Sequence, residues 1–145
     1  MKVVVQRVID ASVAVDEKIV GAIDKGYLLL VGFTHTDTFS NCELMAKKIK
    51  NLRIFEDENG KMNLNLASID GKILSVSQFT LYGDCSDGNR PSFVKAMAPD
   101  EAKKLYLYFN ECLRNLDVTV EEGIFQADMK VKFINDGPVT IILEN

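Results

Sequence analysis

Residues 73–81 read Ile73-Leu74-Ser75-Val76-Ser77-Gln78-Phe79-Thr80-Leu81, an apolar run that leads directly into polar side chains. The apolar part predicts a buried strand. Polar groups at the end of such a strand cost free energy unless they are hydrogen-bonded. Strand alternation places Ser77 and Phe79 on one face and Gln78 and Thr80 on the other, unless the strand end bends so that all four line one pocket. The segment therefore predicts either a polar cap on neighbouring backbone or the mouth of a binding site.

A second polar segment, Asn135-Asp136-Gly137-Pro138-Val139-Thr140, joins two strand-like runs at residues 129–134 and 139–143. Gly137 permits backbone geometry closed to other residues, and Pro138 fixes φ and removes an N–H group. The segment is either a tight turn between strands or a rigid turn that exposes its carbonyls as a steric and polar gauge. The sequence does not distinguish a cis from a trans Gly-Pro bond. Two strand-borne polar segments suggest one site on a rigid sheet.

The rest of the chain predicts strands and two amphipathic helices. Strands are expected at residues 2–9, 11–15, 19–23, 26–33 and 118–120, and 26–33 is apolar enough to be buried on both faces. Helices are expected at 41–52, with Ser40 and Glu43 as a capping box, and from Pro99 onward. Residues 82–98 predict a long loop. We expect one α+β domain, 1–145, with a mixed, largely antiparallel, half-barrel-like sheet and two principal helices.

Composition excludes several classes of protein. Three cysteines in 145 residues, Cys42, Cys85 and Cys112, are odd in number and match neither a disulfide framework nor a zinc-ligand spacing. The lack of a signal-peptide pattern and of a membrane-length apolar run predicts a cytoplasmic protein that does not bind membranes. A net charge of -4 argues against broad binding along a nucleic-acid backbone, although a local contact with an RNA end is compatible with it.

Conventional catalytic groups are scarce. His35 is the only histidine and lies in a predicted loop, and a Ser-His-Asp triad needs more than an available histidine. Cys85 lies in the long loop, where no base is indicated. The acidic residues are dispersed, and no glycine-rich phosphate loop follows a strand. Arg7 interrupts an apolar strand, either as a surface residue or as a buried fork that braces several carbonyls.

These two polar segments match paired signature motifs, Ser-Gln-x-x-Leu and Asn-x-Gly-Pro-x-Thr, and on them the chain resembles the D-aminoacyl-tRNA deacylase family. The resemblance covers essentially the full length. It also includes Gln6-Arg7-Val8, Ala11-Ser12-Val13, Asn51-Leu52-Arg53-Ile54-Phe55, Gly60-Lys61-Met62-Asn63, Arg90-Pro91-Ser92-Phe93 and Ala127-Asp128-Met129.

The resemblance implies a homodimer whose active site lies at the subunit interface. The sequence shows no cluster of metal ligands, so we expect a hydrolase that needs no metal or cofactor. The implied substrate is a tRNA whose 3′-terminal adenosine carries a D-amino acid or glycine in ester linkage. In this resemblance, the terminal adenosine and the ester are bound by Ser77, Gln78, Phe79 and Thr80, and the pocket wall lies at Phe125 and Met129. The cis Gly137-Pro138 turn of the other subunit is the implied chiral gauge. Arg7 and Asn135 support that turn.

An aminoacyl ester is labile, so positioning and oxyanion stabilisation can supply most of the acceleration. Backbone N–H groups near Phe79 and Thr80 are the candidate oxyanion donors. The ribose 2′-OH of the substrate is expected to take part in the reaction. For the Thr80 side chain, chemical participation ranks below a positioning role. The chain departs from many relatives at Cys85-Ser86-Asp87, where a more basic loop would grip tRNA phosphates more firmly.

Two other classes of function remain open at this point. One is a non-catalytic module that binds an RNA end or a nucleotide. The other is a conventional hydrolase with Thr80, Ser77 or Cys85 as nucleophile, which alanine at that one position would inactivate completely.

Overall fold

The computed structural model describes residues 1–145, and five of its seven strands form one sheet in the order β6-β5-β2-β1-β7. The elements in chain order are β1 Lys2–Val15, β2 Lys18–Gly32, α1 Phe39–Asn51, β3 Phe55–Glu56, β4 Met62–Leu64, β5 Lys72–Ser77, α2 Pro99–Arg114, β6 Val120–Glu122 and β7 Lys130–Glu144, with 3-10 turns at Ala67–Ile69 and Phe79–Tyr82. The predicted α+β class, with a mixed sheet and two principal helices, is confirmed.

Strand direction follows from the connections. β1 pairs antiparallel with both β2 and β7, the first of these pairings through the turn after Val15. β2, β5 and β6 run parallel to one another. Parallel neighbours need long crossovers, and α1 and α2 lie in the two connections that supply them. Both helices consequently belong to one side of the fold, where they pack together.

The central strand β2 is buried on both faces, as its apolar sequence predicted. Tyr27 and Leu29 belong to the main core with α1 and α2, whereas Leu28 belongs to a second cluster on the opposite face. That second cluster comprises Val8, Ala11, Val13, Ile23, Leu28, Leu74 and Val76, with Met129, Val131 and Phe133 packed against it. Each fully buried valine, leucine or isoleucine of this cluster contributes roughly 1.5–3 kcal/mol by leaving water.

Proline and polar side chains mark where the two helices begin, although the predicted cap of α1 needs a correction. Pro99 occupies the first turn of α2, as expected. The predicted capping box of Ser40 and Glu43 is wrong, because the extended N-cap residue is Thr38, whose backbone N–H donates to Asn41 Oδ1 at 2.9 Å. The cap lies two residues earlier because Asp37 accepts from Thr34 N at 2.7 Å and turns the chain there.

The two strands predicted on either side of Gly137 form one strand, β7. Ile134 is opposite Ile9 and Thr140 is opposite Gln6, so both halves pair with β1. Four residues, 136–139, therefore bulge out opposite Arg7 instead of reversing the chain. The expectation of a tight turn between separate strands is wrong for this reason.

The chain ends are held together beside α1. The Met1 ammonium donates to Asp37 Oδ1 at 2.5 Å and to Asn145 O at 2.9 Å. The Asp37 side chain is only 3% exposed, which makes this a buried ion pair. No helix of the protein combines the length and apolarity needed to cross a membrane.

Candidate functional site

A cavity of about 650 Å³ opens at the carboxyl end of β5 and is walled mostly by apolar side chains. Four other parts of the chain close it: the end of β2, the end of the long loop, the first turn of α2 and the segment that leads into β7. The lining residues include Val76, Ser77, Gln78 and Phe79 from the β5 end, Phe93 and Met97 from the loop, Ala102 from α2, and Phe125, Asp128 and Met129 from the last segment. A cavity of this size accommodates a ligand as large as a nucleoside.

The first polar segment bends at the cavity mouth. β5 ends at Ser77, and a 3-10 turn spans Phe79–Tyr82, with Leu81 N donating to Gln78 O. Strict alternation beyond Ser77 is therefore wrong, and the bend lets Ser77, Gln78 and Phe79 all line the cavity. The bend leaves the backbone N–H groups of Phe79 and Thr80 without an acceptor in the chain.

Thr80 does not line the cavity itself. Its hydroxyl accepts a hydrogen bond from Gln78 Nε2 at 2.5 Å, and Thr80 is exposed whereas Gln78 is half-buried. An amide cannot serve as a general base, so this contact orients the hydroxyl without activating it.

Aromatic rings flank the mouth. Phe79 is 58% exposed, and its ring meets that of Phe93 edge to face with centroids 5.0 Å apart. Such an exposed aromatic pair offers a flat apolar surface to a planar ligand such as a nucleobase.

The opposite wall is the segment from Gly123 to Met129. It contains Phe125 and Met129, the two residues for which the resemblance implied a role as pocket wall. Both residues line the cavity. The Phe125 ring lies 5.9 Å from that of buried Tyr106. A Cβ atom at Gly123 would lie 2.5 Å from Met129 Sδ, so only glycine lets Met129 pack this closely.

Gly137 and Pro138 lie elsewhere on the same chain. Gly137 borders a separate depression with Arg7, Phe55, Glu56 and Asp136, which shares no residue with the cavity. The registers place Gly137 level with Arg7 and, through β2, with Ile73 on β5. Along the sheet surface this is about 13 Å down the strands and about 14 Å across them from Ser77. The prediction that both polar segments meet in one site on one sheet is therefore wrong within a single chain.

Arg7 is a buried brace, 6% exposed, which excludes the surface alternative. Its Nη1 donates to Ile54 O at 2.8 Å, and its Nε donates to Asp136 O at 3.3 Å and lies 3.0 Å from Asp136 Oδ2. A Cβ atom at Gly137, whose φ is +114°, would lie 2.8 Å from Arg7 Nη2. The guanidinium thus ties the bulge to β1 and to the chain before β3.

Asn135 closes the base of the bulge. Its Nδ2 donates to Arg7 O at 3.0 Å and to Val139 O at 3.1 Å, and its Oδ1 accepts from Thr140 Oγ1 at 3.3 Å. These contacts give a structural reason for asparagine and threonine at the two ends of the second motif. Gly137 and Pro138 stand exposed at the tip, joined by a cis peptide bond.

The long loop at residues 82–98 covers one side of the cavity. Its hairpin is held by mutual backbone hydrogen bonds of Asp84 and Ser92, and Lys95 Nζ lies 2.7 Å from Asp84 Oδ2. The hydrogen bond from Lys95 holds the pKa of Asp84 well below its usual range. His35 lies exposed beneath this loop, with Nε2 2.7 Å from Val94 O. The contribution of Phe93 and Met97 to the cavity was missed, because only the length of the loop hinted at it.

Remaining nucleophile candidates lie away from the cavity. Cys85 is exposed in the hairpin, and Cys42 lies on the buried face of α1. Burial raises the pKa of the Cys42 thiol to about 12, so it remains protonated. Nowhere do three or more His, Cys, Asp or Glu side chains converge as the ligands of a metal ion do.

Comparison with known proteins places this geometry in a family. A sequence profile of the D-Tyr-tRNA(Tyr) deacylase family matches residues 4–144. The D-aminoacyl-tRNA deacylase of Geotalea daltonii is 57% identical over 99% of this chain and 96% of its own length. The enzyme of the same name from Thermotoga petrophila is 55% identical over 100% of this chain and 97% of its own.

Solved structures share the fold. A protein named c-Myc DNA unwinding element binding protein superposes with a TM-score of 0.93 at 44% identity, covering 100% of this chain and 99% of its own. A probable eukaryotic D-amino acid tRNA deacylase gives a TM-score of 0.84 at 18% identity, with 98% and 97% covered. The predicted family and enzyme class are confirmed: the chain belongs to the D-Tyr-tRNA(Tyr) deacylase family and is an enzyme of the D-aminoacyl-tRNA deacylase type.

Proposed function

We propose that this protein removes D-amino acids and mischarged glycine from tRNA by hydrolysing the ester to the 3′-terminal adenosine, and so protects the homochirality of translation. The observation that carries the proposal is the placement of the Ser77–Phe79 segment at the mouth of a nucleoside-sized cavity, in a chain more than half identical to D-aminoacyl-tRNA deacylases over its whole length.

The terminal adenine stacks on the exposed pair of Phe79 and Phe93, and the aminoacyl group enters between the β5 end and the wall at Phe125 and Met129. The apolar lining supports this arrangement, because an adenine loses little by leaving water on one face while it gains aromatic contact. Ser77 and Gln78 supply directional hydrogen bonds at the rim.

Hydrolysis proceeds without a strong side-chain base. The unengaged N–H groups of Phe79 and Thr80 donate to the carbonyl oxygen of the ester as negative charge develops there. The adjacent 2′-OH of the ribose assists attack by water, and Thr80 helps to position Gln78 through their mutual hydrogen bond. Removal of one oxyanion donor typically costs about 2.7–4 kcal/mol in the barrier, which is the scale expected for these donors.

Chirality is read by a second copy of the chain. The proposed homodimer inserts Gly137 and Pro138 of one subunit into the cavity of the other, where their carbonyls block an L side chain and let a D side chain point outward. Two features support it: the tip is exposed, and it lies too far along the sheet to reach the cavity of its own chain. β7 is also an edge strand with exposed Ile134 and Ile142, and such edges need cover. Glycine has no side chain, so these carbonyls do not reject it.

The deciding experiment is deacylation of matched D-, L- and glycyl-tRNA by the purified protein. We expect rapid release from the D and glycyl substrates and none from the L substrate. Thr80→Ala retains measurable activity, whereas replacing the terminal 2′-OH by hydrogen reduces the rate much more. Equal hydrolysis of the D and L substrates refutes the chiral gauge. A complete loss of activity in Thr80→Ala, together with nearly unchanged hydrolysis of the 2′-deoxy substrate by the wild type, favours a threonine nucleophile.

A nucleic-acid-binding module without turnover is the alternative, favoured by the name of the 44% identical structure. The net charge of -4 opposes it for binding along a nucleic-acid backbone. Stoichiometric binding of aminoacyl-tRNA with no ester cleavage would establish this alternative.

A further inference from the structure

A row of three polar side chains lies along the face of α2 that contacts β5 and β6, and it runs from the buried interior to the solvent. Tyr106, Asn110 and Arg114 are spaced four residues apart and therefore share one face of the helix. Tyr106 is 1% exposed and Asn110 is fully buried. Polar groups in this position have to be explained by what they contact.

All three contact β6 or the strand beside it. Tyr106 OH donates to Ser75 O at 2.8 Å, and Asn110 Nδ2 donates to Glu122 Oε2 at 2.5 Å. Arg114 Nη2 donates to Val120 O at 3.1 Å. The row thus fixes α2 to β5 through one contact and to β6 through two.

The contact of Tyr106 reaches both sides of the cavity. Ser75 O also accepts from Gly123 N at 3.0 Å, so one carbonyl joins Tyr106 to β5 and to the first residue of the cavity wall. Ser75 lies two residues before Ser77, and Gly123 two residues before Phe125. The Tyr106 ring in turn packs against Phe125. Burial raises the pKa of Tyr106, so the hydroxyl remains a donor at neutral pH.

The wall itself has little internal support. Residues 123–129 form no helix or strand, and their only mutual backbone hydrogen bond is Ala127 N to Ile124 O at 3.2 Å. Its position depends on its first residue and on the side chains packed beneath it. Stability alone does not explain the row, because Ser75 Oγ and Asn110 Oδ1 are buried without a partner, which costs folding free energy.

We propose that Tyr106, Asn110 and Arg114 are positioning residues, which set the place of the wall at residues 123–129 relative to the Ser77–Phe79 segment and thereby the fit of the substrate. The inference rests on the proposed function for its kinetic part only. None of the three touches the cavity, so they act through Gly123 and Phe125.

Tyr106→Phe tests the proposal, because it removes one hydroxyl and keeps the ring against Phe125. Tyr108→Phe is the matched control: it lies on the same helix and loses a hydroxyl that donates to Glu43 Oε1 at 2.6 Å, away from the cavity. Amide hydrogen exchange of residues 123–129 and steady-state kinetics on a D-aminoacyl-tRNA are measured for both variants and for wild type.

In Tyr106→Phe we expect faster exchange confined to residues 123–129 and a KM raised by about fivefold with a smaller change in kcat, since one hydrogen bond is lost. Tyr108→Phe should match wild type in both. Arg114→Gln, altered at the solvent end of the row, provides a second variant if Tyr106→Phe does not fold, and it should show the same pattern more weakly.

Wild-type exchange in residues 123–129 of Tyr106→Phe overturns the proposal, and so does a uniform rise in exchange across the chain. Faster exchange of the wall with an unchanged KM also overturns it. An inactive wild-type enzyme would instead refute the proposed function, while the exchange measurement would still decide whether the row holds the wall.

Discussion

Replacing Arg7 by methionine is the sharpest test of how the exposed Gly137–Pro138 tip is held. Methionine keeps most of the apolar stem and removes the guanidinium. The lost contacts are the 2.8 Å bond to Ile54 O and the two contacts of Nε with Asp136, and Glu56, at 3.9 Å and 58% exposed, adds little.

The expected loss of stability can be worked from these contacts. A hydrogen bond from a charged donor contributes about 1.5–3 kcal/mol, and the half-exposed pair with Asp136 contributes under about 1 kcal/mol. The longer bond to Asp136 O lies at the weak end of that range. We therefore expect Arg7→Met to lose about 3 kcal/mol, a fall in Tm of roughly 6–12 °C for a chain of this size.

Urea unfolding of the wild type and of Arg7→Met measures this loss. Both are unfolded at the same protein concentration, since association between chains shifts apparent stability. Arg53→Met is the matched control, because Arg53 is exposed and donates a single bond to Asn63 O at 2.8 Å. It should change the unfolding free energy by less than about 0.5 kcal/mol. Equal losses in the two variants would refute the idea that Arg7 is the brace of the bulge.

Function provides a second readout on the same variant. A loosened tip should yield to an L side chain, so the ratio of D to L deacylation rates should fall in Arg7→Met, or both activities should be lost together. An unchanged ratio at unchanged rates would show that the tip does not depend on Arg7.

Three further tests concern other parts of the molecule. Asp37→Asn should destabilise the protein by about 3–5 kcal/mol, because it leaves the buried Met1 ammonium without its carboxylate; calorimetry measures the change, and a variant as stable as wild type would contradict the buried pair. The lowered pKa of Asp84 means that its pairing with Lys95 is complete above the unfolded pKa of about 4 and is lost as the pH falls through the folded value. In wild type, proteolysis of the hairpin should therefore be slow between pH 5 and 8, at a constant rate that local opening of the hairpin sets. In Asp84→Asn, proteolysis of the hairpin should be faster over this whole pH range. Cys85→Ser should retain wild-type deacylation while removing the exposed thiol that reacts first with a thiol reagent; loss of activity would favour a cysteine hydrolase.

Local features of the chain were readable in advance. The apolar run at residues 26–33 predicted a strand buried on both faces, and Pro99 marked the start of α2, because burial pattern and proline geometry act within a few residues. The helix cap was misplaced by two residues, since Ser40 and Thr38 both carry the required hydroxyl and only the turn at Asp37 selects between them.

The sequence by itself predicted the two helices, the stretches of chain that form strands, the family and the two polar segments, because short-range periodicity and motif spacing are properties of contiguous residues. Tertiary structure alone revealed that the segments lie apart on one sheet, since that depends on the registers of β7 with β1 and of β5 with β2. It likewise showed that the two strands expected on either side of Gly137 are one bulged strand, which Arg7 braces. The polar row on α2 was equally hidden, because Tyr106 and Asn110 acquire their partners only when Ser75 and Glu122 are brought beneath the helix. Pairing between distant strands leaves no local signature, and both the cavity and the placement of its wall arise from such pairing.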